Sequence, residues 1–267
     1  MVVCCYYHFM EVKNLIVRER NDEFVLIDQH YHASISGKLF SSLNKDLKPN
    51  QPWVNEIELA IYEHDCGWIP FDATPFWDDK SESPYSFIRY PTAPKTVLYE
   101  SGIDRVEEKS LYAALLCSIH YSLFMQKNTT PIAESFIERE KRRQIRIKKQ
   151  IPAFDEQLLQ HHYEILQFFD NLSLYICLNE PGSKKEHEHP FFKSGITLPT
   201  LFKGGTLHAK WNSLSDIQLD HTLFTTNTTI TLQQKVVSKS TISEIGLQQA
   251  YEKAPLEEKL ITIWNSN

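Results

Sequence analysis

The stretch from Val54 to Trp68 reads VNEIELAIYEHDCGW. Val54, Ile57, Ile61, His64 and Trp68 recur at intervals of three and four, the spacing of one buried stripe on an amphipathic helix. A stripe of that kind needs other elements to pack against, so it commits the chain to a helical core. It also sets an imidazole, His64, in the middle of the stripe, with the Asp65 carboxylate at its edge. Both groups are costly to bury unless something compensates them. A divalent cation would compensate both together. A fraying helix end, with the two groups bonded to backbone or water, would do so more simply, and the dipeptide alone leaves both accounts open.

Two further stripes carry the same anomaly. Asp28 is a plausible N-cap for a helix through QHYHASISGKLFSSL, which puts His32, Ile35, Ser36, Leu39 and Leu43 on one face. His30 falls roughly 200° round that helix from His32, toward solvent or a rim. From Phe154 to Leu178 the chain is helical in pattern, with Leu159, Tyr163, Leu166, Asp170, Ser173 and Cys177 on one stripe. His32 could equally be a core histidine bonded to a carbonyl, and Asp170 a carboxylate bonded to a Ser, a Tyr or a helix terminus. Ser110 to Phe124 is apolar nearly all round and reads as a buried helix, with His120 on the face of Ala113, Leu116, Cys117 and Phe124. Ile137 to Gln150, preceded by the helix-start signal Thr129-Thr130-Pro131, is dense in Lys and Arg. It offers either a positive edge for phosphate or a solvated helix face.

The remainder is mixed. Leu15 to Val17 and Phe24 to Ile27 flank a polar tract and read as a hairpin within a strand-like region 2–27. The long segment after Trp68, rich in Pro, acidic and aromatic residues (Phe71, Phe76, Trp77, Tyr85, Phe87), reads as an ordered flap or covering loop. His187 and His189 lie in a polar loop flanked by Gly and Pro and are placed outside any site. Ile217 to Phe224 and Thr228 to Val237 alternate as strands that join the hairpin in a small sheet, and Ser243 to Glu252 reads as a short helix. No apolar run reaches the roughly 18 residues of a membrane span, and MVVCCYYHFM has no basic n-region or small-residue cleavage site. The five cysteines (Cys4, Cys5, Cys66, Cys117, Cys177) are odd in number and lack zinc-ribbon spacing, which fits reduced thiols in the cytoplasm. A net charge of −6 argues against a dedicated nucleic-acid binder.

The order His32, His64-Asp65, Asp170 resembles the HD-domain superfamily of metal-dependent phosphohydrolases. More closely, QHYHASISG, YEHDCGW, SPYSF, YAALLCSIHYSL and FFDNLSLYICL, together about residues 29 to 178, are similar to an HD-like bacterial family catalogued only as a domain of unknown function. The resemblance implies one metal ligated by His32, His64, Asp65 and Asp170. The superfamily often has a second acid three positions after the Asp, where this chain has Trp68, and a binuclear variant would need an adjacent His-His pair where only His120 stands.

The expected fold is mostly α: an HD-like helical bundle with a small β appendage formed by the N-terminal hairpin and the C-terminal strands. It is expected as a single domain over 1–267, with its helical core at about 28–180 and β-rich flanks at 1–27 and 190–240. The expected function is a divalent-metal-dependent hydrolase acting on a small phosphate ester or nucleotide. Asp65 and His120 are its catalytic residues; Asp65 binds metal or orients water, and His120 is a general acid or phosphate partner. Trp68 is the stacking surface for substrate. Mn, Fe, Co, Ni and Zn all suit the ligand set. Two alternatives accompany it, a non-catalytic metal- or ligand-binding protein and a di-iron oxidase. A homo-oligomer is compatible with all three.

Overall fold

Two antiparallel strands, β1 (Leu15–Glu19) and β2 (Glu23–Asp28), lead directly into α1 (Gln29–Ser41). This arrangement comes from a computed structural model, which describes residues 15–50 and 53–266. The first part of the expected N-terminal strand region, with Cys4 and Cys5, lies outside the described residues. After α1 come α2 (Trp53–Glu63) and a short hairpin of β3 (Trp77–Asp78) and β4 (Ser83–Pro84). Four longer helices follow: α3 (Thr92–Glu107), α4 (Leu111–Met125), α5 (Pro131–Lys148) and α6 (Glu156–Leu178). The chain then forms β5 (Ile196–Thr197), β6 (Thr206–Leu207), β7 (Ala209–Trp211), β8 (Asp216–Leu219) and β9 (Thr228–Ser238). It ends with α7 (Lys239–Ile245), α8 (Leu247–Lys253) and β10 (Leu256–Trp264).

The expectation of a mostly helical HD-like bundle with a small β appendage is corrected here. Both chain ends build a six-stranded sheet, ordered β1-β2-β9-β10-β8-β7, and two further two-stranded sheets stand beside it. Every neighbouring pair in the large sheet is antiparallel except β10 with β8. One face of the sheet, through Ile16, Ile27, Ile230 and Ile261, enters the same core as the helices. The opposite face of β1, β2 and β9 packs Leu15, Phe24, Leu26 and Val237 against Ala250 and Tyr251 of α8. The sheet is thus a layer covered on both sides at this end, which is why FVLI in β2 is buried without alternation.

Several details bear on the interior. The central stripe is buried at Ile57, Ile61, His64 and Trp68, but α2 stops at Glu63. His64 and Asp65 lie in a turn, followed by a 3₁₀ turn over Cys66–Trp68. Arg105 of α3 donates to the Cys66 carbonyl at 3.1 Å and ties that turn down. The helix α3 comes so close that a Cβ on Gly67 would stand 2.2 Å from the Leu98 carbonyl oxygen. Across α1 and α2, a Cβ on Gly37 would meet the Tyr62 ring at 2.4 Å. The N-terminus of α1 is satisfied from a distance. Asp28 makes no side-chain cap, whereas the Asp72 carboxylate accepts the Gln29 and His30 N–H groups at 2.9 and 2.8 Å. Burial and the nearby Asp28 charge raise the Asp72 pKa well above its ordinary value, against those two bonds.

Three arginines of the basic run on α5 are used by α3. Arg139 pairs with Glu100, Arg143 with Asp104 and Glu107, and Arg146 with Glu107, at 2.5 to 2.6 Å. The helix begins as its sequence signals, with Thr130 accepting from Ala133 N–H and Pro131 in the first turn.

Candidate metal centre

Four elements deliver polar side chains to one buried point. His32 lies one turn into α1, His64 and Asp65 in the turn that ends α2, His120 on α4, and Asp170 on α6. None is more than 4% exposed. Strand β2 fixes where α1 starts, the Tyr31 hydroxyl donates to the Thr231 carbonyl of β9 at 2.7 Å, and His32 follows at once, pointing inward.

The four residues expected as ligands converge. His32 Nε2 is 2.7 Å from Asp65 Oδ2 and 3.9 Å from Asp170 Oδ1. His64 Nε2 is 3.7 Å from Asp65 Oδ2 and 3.5 Å from Asp170 Oδ1. Metal bonds of about 2.0–2.2 Å hold two ligands of one ion at most about 4.4 Å apart, and these four separations lie within that span, the shortest of them being a direct hydrogen bond between His32 and Asp65. The buried cluster of His32, His64 and Asp170, with ligand atoms within 4.8 Å of one another, can hold a metal ion. Asp65 lies beside it through Oδ2.

The outer partners orient the two imidazoles. His64 Nδ1–H donates to the Ile61 carbonyl at 2.8 Å, which turns its Nε2 toward the two carboxylates. That Nε2 is buried and has no hydrogen-bond partner. Ser173 Oγ donates to the Asp170 carbonyl at 2.9 Å and lies 2.8 Å from His32 Nδ1, while His32 Nε2–H donates to the Asp65 carboxylate at 2.7 Å, a proton that a bound ion would displace. Ser36 Oγ donates to Ser173 Oγ at 2.7 Å. Asp65 is held by Gln29 Nε2 on Oδ2 at 2.8 Å and by the Tyr121 hydroxyl on Oδ1 at 2.6 Å; that hydroxyl also reaches the His64 carbonyl.

The electrostatics follow from this packing. Burial pushes the His64 pKa down, but the Asp65 charge and the Asp170 carboxylate outweigh it and raise the pKa to about 9. Burial would raise both carboxyls. Asp65 is instead held well below its ordinary range by His64, His32 and Tyr121, and Asp170 is lowered chiefly by His64. His120 is different: burial lowers its pKa to about 4. Its Nε2 lies 3.6 Å from Asp170 Oδ2, and both of its ring nitrogens are buried without a hydrogen-bond partner. Asp170 therefore faces His32 and His64 with one oxygen and His120 with the other.

Trp68, expected as a stacking surface, is corrected. It is 1% exposed, with its ring edge-on to Tyr90 and Tyr99, so neither face is open to a ligand. His30 is half-buried on the outer side of α1, in a groove with Ser34, Asn55, Glu58, Tyr62 and Glu63. His187 is 72% exposed, and His189 packs on Phe191. None of these three joins the cluster. The residues missed were Gln29, Tyr121 and the hydrogen-bonding role of Ser173. Their signal was present: Gln29 and Ser36 flank His32 by about one turn, and Ser173 follows Asp170 by three, all on buried stripes.

The family described as "Protein of unknown function (DUF3891)" matches residues 15–239. No curated protein and no solved structure matches the chain. Among the described residues, no helix is long and apolar enough to cross a membrane. Cys66, Cys117 and Cys177 are free and buried.

Proposed function

Since the chain belongs to the DUF3891 family, whose function is not known, we infer from the centre itself that it is a divalent-metal-dependent hydrolase acting on a small phosphate ester or nucleotide. One observation carries this: two buried imidazoles, His32 and His64, meet two buried carboxylates, Asp65 and Asp170, with separations from Nε2 to carboxylate oxygen of 2.7 to 3.9 Å. The ligand order also resembles that of the HD phosphohydrolases, a likeness of the site and not of the whole fold. Mixed nitrogen and oxygen donors suit Mn, Fe, Co, Ni or Zn. When bound, such an ion supplies a water of lowered pKa and a Lewis acid for a phosphoryl oxygen. Tyr121 and Gln29 hold Asp65 as an ionised acceptor that binds the ion or orients water. His120, neutral and beside Asp170, is placed to carry a proton to or from the reacting group. Free cysteines suit a reducing compartment, which we take to be the cytoplasm.

A second reading is a metal-binding protein without turnover. It is favoured by the burial of all five side chains and by Trp68 standing where a second acid is expected. Assay of a phosphate-ester panel with Mn²⁺, Co²⁺ or Ni²⁺ separates the two. Metal-dependent turnover that is lost in His64→Ala supports the hydrolase. Stoichiometric metal with no turnover on any ester favours the second reading.

A further inference from the structure

The five side chains of the centre are sealed from solvent, so anything that reaches them must pass a wall. The side chains that hydrogen-bond or ring-pack against them mark where it is thin. Gln29, Ser173, Tyr121 and Tyr163 are each at most 4% exposed, whereas Phe124 is 48% exposed. The Phe124 ring lies edge-on to His120 with centroids 4.3 Å apart, and edge-on to Tyr121 at 6.3 Å. It therefore touches solvent on one side and, on the other, both the unpartnered imidazole and the phenol that holds Asp65. Phe124 is also the last residue but one of α4, and its neighbour Leu123 is 40% exposed. The ring is held against the centre through these edge contacts, and rotation of an exposed side chain is fast.

We propose that Phe124 is the entrance to the centre, a movable aromatic wall past which ligands reach His120 and Asp170, and so the residue that sets the size of what is admitted. This rests on the buried cluster being a binding site and not on which reaction takes place there. It also replaces the expected role of Trp68: the aromatic ring that faces both solvent and the centre is Phe124.

The test uses neither metal nor substrate. Diethyl pyrocarbonate acylates an unprotonated imidazole nitrogen: an N–C bond forms, the ring proton passes to solvent, and ethyl carbonate leaves and breaks down to ethanol and carbon dioxide. Labelling of individual histidines is followed by peptide mass spectrometry at neutral pH in the full chain. His187, 72% exposed and far along the chain, is the internal reference. In Phe124→Ala, the rate at His120 relative to His187 should rise about 2- to 10-fold, the factor that corresponds to losing one edge-to-face ring contact. Phe124→Leu, which keeps most of the bulk, should give a smaller rise and serves if the alanine variant fails to fold. An unchanged or lower relative rate at His120 in a folded variant would overturn the proposal. Failure of the hydrolase reading would show separately, in metal content and ester turnover, and would leave this result standing.

Discussion

Replacing Asp170 by Asn keeps the shape of the side chain and removes one of the two negative charges in the centre. Asp170 Oδ1 lies 3.5 Å from His64 Nε2 and 3.9 Å from His32 Nε2, inside the span of ligands on one ion. Loss of an outer-shell partner alone weakens metal sites by about 10- to 100-fold, so loss of a direct anionic ligand should cost at least about 100-fold. At a metal concentration of about 100 times the wild-type dissociation constant, binding stabilises the fold by about 2.7 kcal/mol. For a chain of this size that raises Tm by about 5–10 °C. In Asp170→Asn the same concentration only equals the new dissociation constant, which leaves about 0.4 kcal/mol and a shift of about 1 °C. The assay is thermal melting of both proteins with chelator and with added Mn²⁺. Without metal, the variant also loses the pairing of Asp170 with His64 and should melt lower, so the readout is the size of the Mn²⁺-induced shift in each protein. An undiminished Mn²⁺-induced shift in the variant would refute the assignment. So would a drop in Tm of equal size with and without metal, which would mark Asp170 as a structural acceptor.

Two further outcomes follow from the same contacts. Tyr121→Phe removes the donor to Asp65 and to the His64 carbonyl; it should destabilise the metal-free protein by about 1–3 kcal/mol in chemical denaturation and weaken metal binding by about 10- to 100-fold in titration, and an unchanged metal affinity would remove Tyr121 from the support of the site. His162 is buried with Nδ1 2.7 Å from the Tyr112 hydroxyl, and burial lowers its pKa from 6.5 to about 4. As pH falls, the unfolded chain therefore takes up that proton first: the stability is fully present above the unfolded pKa of 6.5 and is lost between there and about 4, by at most about 3 kcal/mol. His162→Gln should flatten that part of the stability–pH curve, and curves of equal slope would show that His162 does not titrate as described.

How much of this could be read beforehand depended on how local the signal was. The helices α1, α4, α5 and α6 announce themselves through spacing and caps, such as Thr130-Pro131 and Asp155, whose carboxylate accepts from the Gln157 and Leu158 N–H groups. The stripes placed His32, His64, Asp65 and Asp170 facing inward, and they do meet. The missing parts depend on distant residues. Asp28 looks like the cap of α1, but the group that bonds its first N–H groups is Asp72, 43 positions beyond Gln29. The helix α3 buries Lys95, Thr96 and Gly102, which blur its pattern, and its acids make sense only once Arg139, Arg143 and Arg146 lie alongside. Strand β10 begins LEEK, poor in β-formers, because that part faces solvent; it is held by pairing with β9. The sheet was underrated because its strands come from opposite ends of the chain, and pairing between distant segments leaves no periodic trace. Trp68 was correctly placed on the buried stripe, but the stripe could not tell that its neighbours would be Tyr90 and Tyr99 and not the centre.

The most direct measurement is the metal content of the protein. Wild type and His64→Ala are each incubated with Mn²⁺, Co²⁺, Ni²⁺ or Zn²⁺, desalted, and analysed for metal per chain. His64 Nε2 is buried, has no hydrogen-bond partner and is aimed between two carboxylates. Wild type should therefore retain one divalent ion per chain for at least one of these metals, and His64→Ala should retain none. Wild type at the level of the blank for all four, or equal metal in the two proteins, would contradict a centre built on His32, His64, Asp65 and Asp170.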